Sequence, residues 1–115
     1  VIINLTPHTV NLKLASGTIQ NIERKGRIPR IEEIIEYQDT SDDGAVIYGM
    51  SYGGVIDAPP IIQGTYYIVS RMVAEAMRGR NDLLFPIMLE RDSDGKVVSA
   101  TALARVVPNL FIPKG

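Results

Sequence analysis

Tyr66–Pro86 reads YYIVSRMVAEAMRGRNDLLFP. Only here do a strand signal, a helix signal with both ends marked, and a cluster of charged and polar residues follow one another without a gap. Thr65 to Val69 is β-branched and aromatic, the composition of a strand. Ser70 is a preferred N-cap. Met72, Val73, Ala76 and Met77 share one side of the helix that should follow, and Arg71, Glu75 and Arg78 the other. Arg71 and Glu75 stand four apart with opposite charge. Gly79 suits the left-handed position after a helix end. The spacing predicts a helix of about two to three turns, too short to be held by propensity and therefore held by packing.

Downstream, Leu83 to Leu89 is an apolar strand interrupted by Pro86, which points to an edge or a bulge. Glu90 to Gly95 turns with Asp94-Gly95 as a two-residue hairpin signal, and Lys96 to Val106 returns as strand. Upstream, Val1 to Leu5 is a short apolar run ended by Thr6-Pro7-His8. Thr9 to Leu14 alternates with Val10, Leu12 and Leu14 on one face, and Thr18 to Ile22 returns across the turn Ala15-Ser16-Gly17. Ile31 to Tyr37 fits a helical face or one face of a strand; its β-branched content and the preceding Pro29 favour strand. Asp39 to Gly44 is a turn. Ala45 to Tyr52 alternates as strand, Gly53-Gly54 permits a bend, Val55-Ile56 continues, and Asp57 to Pro60 stops it. The expected fold is one β-rich α+β domain over residues 1–115, a small barrel or strongly bent antiparallel sheet with one short helix. Residues 107–115 form an apolar tail that caps the core or docks on a neighbouring subunit.

Composition narrows the function classes. The 115 residues carry 12 Lys and Arg against 13 Asp and Glu. There is thus no whole-chain electrostatic case for nucleic acid or an anionic membrane, and neither is expected as a partner. Near-neutrality also removes one barrier to self-association. With no cysteine, a disulfide scaffold, a thiolate nucleophile and a thiolate zinc site are excluded. One histidine, His8, excludes a multi-histidine metal site within one chain. No apolar run approaches a membrane span and no signal-peptide layout opens the sequence, so a soluble cytoplasmic protein is expected. No cofactor is expected.

Several constellations carry possible chemistry, each beside a plainer reading. Arg24, Lys25, Arg27 and Arg30 suit phosphates, with Gly26 allowing close backbone approach, or form a solvated loop balanced by Glu23, Glu32 and Glu33. Ser70 and Arg71 after a strand form an anion-receptive helix start, or a simple cap. Arg80, Asn81 and Asp82, with Arg91 and Asp92, offer donors and acceptors to a polar ligand, or make structural ion pairs. His8 has the reference pKa of an acid/base group, or is a turn residue bonded to its own loop. Asp39, Asp42 and Asp43 lack the spacing of a calcium loop and read as solvated. The five tyrosines suit a nucleobase, or the sheet itself.

The opening INLTPHTVNL, the central GTYYIVSRMVAEAMRGRNDLLFP and the later RDSDGKVV together resemble a family of small uncharacterised proteins of phages, prophages and bacterial genomes. That family has an NLTPH-type start, a YIVS…R.DL..P centre and an RD..G hairpin. The resemblance covers about two-thirds of the chain, departs in the central segment and does not reach past Arg105. Residue by residue it points to Asn4, Pro7, His8, Ser70, Arg80, Asp82, Pro86, Arg91, Asp92 and Gly95. It implies a phage setting, with the host cytoplasm as location, and carries no activity over to this chain.

The expectation is a non-enzymatic phage-type binder of a phosphorylated, nucleotide-like small molecule, sequestering a host immune signal. Arg30, Ser70, Arg71, Arg80, Asn81, Asp82, Arg91 and His8 are its expected ligand-binding residues. It is expected to be a homo-oligomer. The alternative is an oligomeric structural or assembly protein of a phage. An enzyme using His8 with Asp82 or Asp92 ranks last.

Overall fold

The computed structural model describes residues 1–107; the expectation for the apolar tail lies almost wholly outside them. The strands are β1 (Ile2–Asn4), β2 (Val10–Lys13), β3 (Ile19–Ile22), β4 (Arg30–Thr40), β5 (Val46–Ile56), β6 (Tyr66–Ile68), β7 (Leu83–Arg91) and β8 (Val97–Ala104). One helix, α1 (Arg71–Ala76), lies between β6 and β7. Six strands form one sheet in the order β1-β6-β7-β8-β2-β3, and β4 pairs only with β5.

The six-stranded sheet curls into a nearly closed barrel. Its first and last strands meet where Asn4 bridges to Arg24, and the Lys25 amide donates to the Asn4 carbonyl at 2.8 Å. The sheet is mixed: β1 with β6, β6 with β7, and β2 with β8 run parallel. The central stretch is thus a strand–helix–strand crossover between adjacent parallel strands, Tyr67 opposite Leu83 and Ile68 opposite Leu84.

Both faces of β6 are buried, which explains why consecutive residues there are apolar. Ile68 joins Leu12 and Ile22 on one side, with Val10 and Leu103 packed against them. Tyr67 and Val69 join Leu5, Val73, Ala74 and Leu83 on the other. Ile68, Val69, Val73 and Leu83 are almost wholly buried, and each such side chain contributes about 1.5–3 kcal/mol.

The helix is shorter than its spacing predicts, six residues. Ser70 caps it, its Oγ accepting from the Val73 amide at 3.2 Å. Its buried residues are Val73 and Ala74, with Met77 packed beside them, whereas Met72 and Ala76 are exposed. Gly79 has a left-handed φ of 101°, but beyond a turn that follows the helix.

Pro86 pairs with Leu103 on the β8 side, and lies past Leu84, the last β7 residue paired with β6. It therefore sits where one side of β7 has no ladder to lose, as a strand proline requires. The β7–β8 turn is longer than the two-residue form. Ser93, Asp94 and Gly95 span it, Asp92 Oδ1 accepts the amides of Asp94 and Lys96, and Gly95 takes a φ of 82°.

Ile31–Tyr37 is strand. With β5 it builds a hairpin whose strands have 11 residues each, bulged between Ile31 and Glu33 and between Tyr37 and Asp39. Only its base, through Ile31 and Val55, packs on the helix-side core. The rest projects as an arm. The radius of gyration, 18.1 Å, exceeds the roughly 13 Å of a compact domain this long.

Candidate functional site

A mostly apolar open cavity of about 370 Å³ lies at one end of the barrel. Three segments meet there: the end of β1 with Leu5, the Lys25-Gly26-Arg27 loop after β3, and Asp57-Ala58-Pro59-Pro60 after β5. Ile3, Leu5, Tyr67, Ala58, Pro59 and Pro60 make its lining mostly apolar, while Lys25, Arg27 and Asp57 add charge.

Each segment is held by a specific contact. Asn4 is fully buried, yet every polar group of its side chain is used. Its Nδ2 donates to the carbonyls of His8 at 2.7 Å and Ile22 at 2.8 Å, and its Oδ1 accepts from the Thr6 amide at 2.9 Å and the Thr6 hydroxyl at 2.6 Å. A buried amide with all partners satisfied fixes its surroundings, here the barrel seam from which Lys25 departs. Gly26 has a φ of 82°, and a Cβ there would stand 3.4 Å from Leu5 Cδ2. The loop thus lies directly on the cavity floor in a conformation that favours glycine.

The opposite wall is held by Arg80. Its Nε donates to Asp82 Oδ1 at 3.0 Å, its Nη2 to Asp82 Oδ2 at 2.6 Å, and its Nη1 to the Pro59 carbonyl at 2.7 Å. Both side chains of the pair are about 15% exposed. The Arg80 hydrogen bonds hold the Asp82 carboxyl below the usual carboxylate range, against the opposing effect of burial. Tyr67 adds a second tie, its hydroxyl donating to the Pro60 carbonyl at 2.7 Å.

Charge at the rim is loosely held. Arg27 Nη1 lies 3.5 Å from Asp57 Oδ1, with the arginine side chain 85% exposed. Such a pair contributes about 0–1 kcal/mol, so Arg27 can turn to another anion at little cost. Lys25 makes no ion pair among the described residues. Asp57 has a φ of 59°, one of two non-glycine residues with positive φ among those described. Aspartate tolerates that region better than most residues, and Asp57 lines the cavity beside Arg27.

The residues singled out from sequence are spread over several places. Arg30 and Ser70 come together in a smaller hollow of about 230 Å³ with Tyr52, Met72 and Val73. Ser70's hydroxyl is engaged in its cap, and a six-residue helix presents little dipole. Arg71 pairs with Glu75 at 3.1 Å and lies 5.8 Å from the centre of the Phe85 ring. Arg80 and Asp82 brace the cavity wall from behind, and Asn81 is exposed in the turn between them. Arg91 donates to the Gly95 carbonyl within the β7–β8 turn. His8 is exposed; its carbonyl accepts from Asn4 and Thr6, and its ring bonds to neither Asp82 nor Asp92.

Lys25, Arg27 and Asp57 were absent from that set. The ERKGRIPR segment signals the first two as phosphate-capable. Nothing in the sequence signals that Asp57–Pro60 lies opposite them. Tyr37, Tyr48 and Tyr52 stand on the arm, exposed to solvent and away from this cavity.

Among the described residues, no group of three or more His, Asp or Glu side chains is placed to hold a metal, and no helix is long and apolar enough to cross a membrane. Compared with protein-family models, curated proteins and solved structures, the chain has no match.

Proposed function

We propose that the protein captures a phosphorylated, nucleotide-like small molecule without transforming it, in the cavity between Lys25-Gly26-Arg27 and Asp57–Pro60. The observation that carries this reading is one cavity in which an apolar lining is rimmed by two cations. Ile3, Leu5, Pro59 and Pro60 offer an apolar slot for a base. Lys25 and Arg27 meet phosphate oxygens, the guanidinium in the paired geometry that phosphate favours. Asp57 accepts from a ribose hydroxyl or a base amino group. The volume of about 370 Å³ falls at the small end of ligand sites, about 300–1,000 Å³, as a small ligand requires.

The phage setting rests on the motifs at Asn4–His8, Tyr66–Pro86 and Arg91–Gly95. In that setting the ligand is a host immune signal, and holding it in the host cytoplasm silences the response. Isothermal titration against a panel of cyclic and ADP-ribose-type nucleotides tests the reading. Saturable binding to at least one of them supports it; heats indistinguishable from dilution across the panel contradict it.

A second reading, an oligomeric assembly protein of a phage, is favoured by the exposed arm. Self-association belongs to both readings, because a homo-oligomer can sequester ligands as well as build a structure.

A further inference from the structure

The arm is amphipathic, and its apolar face is in solvent. Directly opposed residues of an antiparallel pair share a face. Ile35 opposes Met50, Tyr37 opposes Tyr48, and Glu33 opposes Tyr52. One face therefore carries Ile35, Tyr37, Tyr48, Met50 and Tyr52, each between 54% and 59% exposed. Tyr37 and Tyr48 meet edge to face, with ring centres 6.1 Å apart. The other face is mixed and more polar: Glu36 opposes Gly49, Ile34 opposes Ser51 and Asp39 opposes Ile47, while the side chains of Gln38 and Glu32 lie across Gly49 and Gly53.

Two-stranded hairpins are marginal alone in water, and a contiguous apolar face of this kind marks an interaction surface. Charge selects the occupant. Residues 31–56 hold six acidic residues (Glu32, Glu33, Glu36, Asp39, Asp42, Asp43) and no basic one, a net of −6. The remaining residues hold all 12 basic and the other seven acidic residues, a net of +5. Arm against arm would bring like charge together, whereas arm against barrel brings opposite charge together.

We propose that the arm's apolar face docks on the barrel of a second copy of this chain, reciprocally, so that each barrel carries its partner's arm. Five side chains at just over half exposure offer on the order of 500 Å² per arm. Two arms and the surfaces they cover then bury roughly 2,000 Å², enough for a stable interface. The proposal does not rest on the ligand reading, since no cavity residue lies on the arm's apolar face.

Sedimentation equilibrium of the full chain at micromolar concentration tests it. The expected mass is at least twice the 12.6 kDa of one chain. Tyr48→Glu with Met50→Glu should give single chains that still unfold cooperatively, because neither residue belongs to the core. Glu32→Lys with Glu36→Lys should weaken the assembly at least tenfold without touching the apolar face. A photocrosslinker at position 48 should label residues 1–30 or 57–107 of another copy. A monomeric wild type overturns the proposal, as does an assembly untouched by both double variants. Crosslinks to residues 31–56 of another copy, or to residues 108–115 of the same chain, overturn it as well. Half-molar salt separates the modes again: arm on barrel weakens, whereas arm on arm tightens.

Discussion

The Lys25 amide donates to the Asn4 carbonyl at 2.8 Å, across the seam where the barrel closes. The same asparagine holds the Ile22 carbonyl through its side chain, so the residue that closes the barrel also fixes the origin of the cationic loop. Asn4→Ala removes four side-chain hydrogen bonds, among them the buried one to the Ile22 carbonyl. The expected loss is about 2–4 kcal/mol of stability by chemical denaturation. Asn4→Asp should fail similarly despite its matching shape, because a carboxylate cannot donate to the carbonyls of His8 and Ile22.

Lys25→Ala and Arg27→Ala should leave the melting temperature within a degree or two and weaken nucleotide binding by about tenfold each, about 1.4 kcal/mol. Both side chains point from an exposed loop and no core contact depends on them. Calorimetric titration beside a thermal melt separates the two effects.

The Arg80–Asp82 pair makes a pH prediction. The folded carboxyl titrates below its unfolded value, so its stabilisation is complete above the unfolded pKa and is lost as pH falls through the folded pKa. Stability should therefore decline on the acid side of the ordinary carboxylate range. Asp82→Asn should flatten this decline and cost about 1–3 kcal/mol at neutral pH, because Arg80 keeps only a neutral partner. Urea titrations at a series of pH values would measure it. Arg80→Ala should also loosen the Pro59 wall and so weaken ligand binding without any direct contact.

Ser70→Ala should cost about 1 kcal/mol through loss of the cap on the Val73 amide, and leave nucleotide affinity unchanged. A thermal melt and a titration of the same variant check both halves. A loss of affinity would move the site toward the hollow that Ser70 shares with Arg30.

The strand–helix–strand order at 66–91 is legible because local signals agree there, a strand apolar on both faces followed by a serine cap, but the parallel pairing of its two strands is not. The helix face is not, because six residues span too little for a period to define a side; Met72 is exposed and Ala74 buried. The β7–β8 turn misleads because Asp92 gathers the amides of Asp94 and Lys96, which lengthens the loop by one residue. Alternation at Tyr48, Met50 and Tyr52 identifies a strand, but alternation cannot say that the apolar face looks outward. Parallel pairing of Ile2 with Tyr66 depends on chain closure over more than sixty residues and leaves no local trace. For the same reason Lys25 and Arg27 read as phosphate-capable, while their position facing Asp57–Pro60 could not be read.

The most direct measurement is an amide ¹H–¹⁵N NMR titration of the full chain with the tightest-binding nucleotide of the panel. The account predicts saturable shifts concentrated at Lys25, Gly26, Arg27, Asp57 and Ala58, abolished in the Lys25→Ala, Arg27→Ala double variant. Shifts centred instead on Arg30 and Ser70, or on Arg91 and Gly95, or unchanged in the double variant, would contradict it.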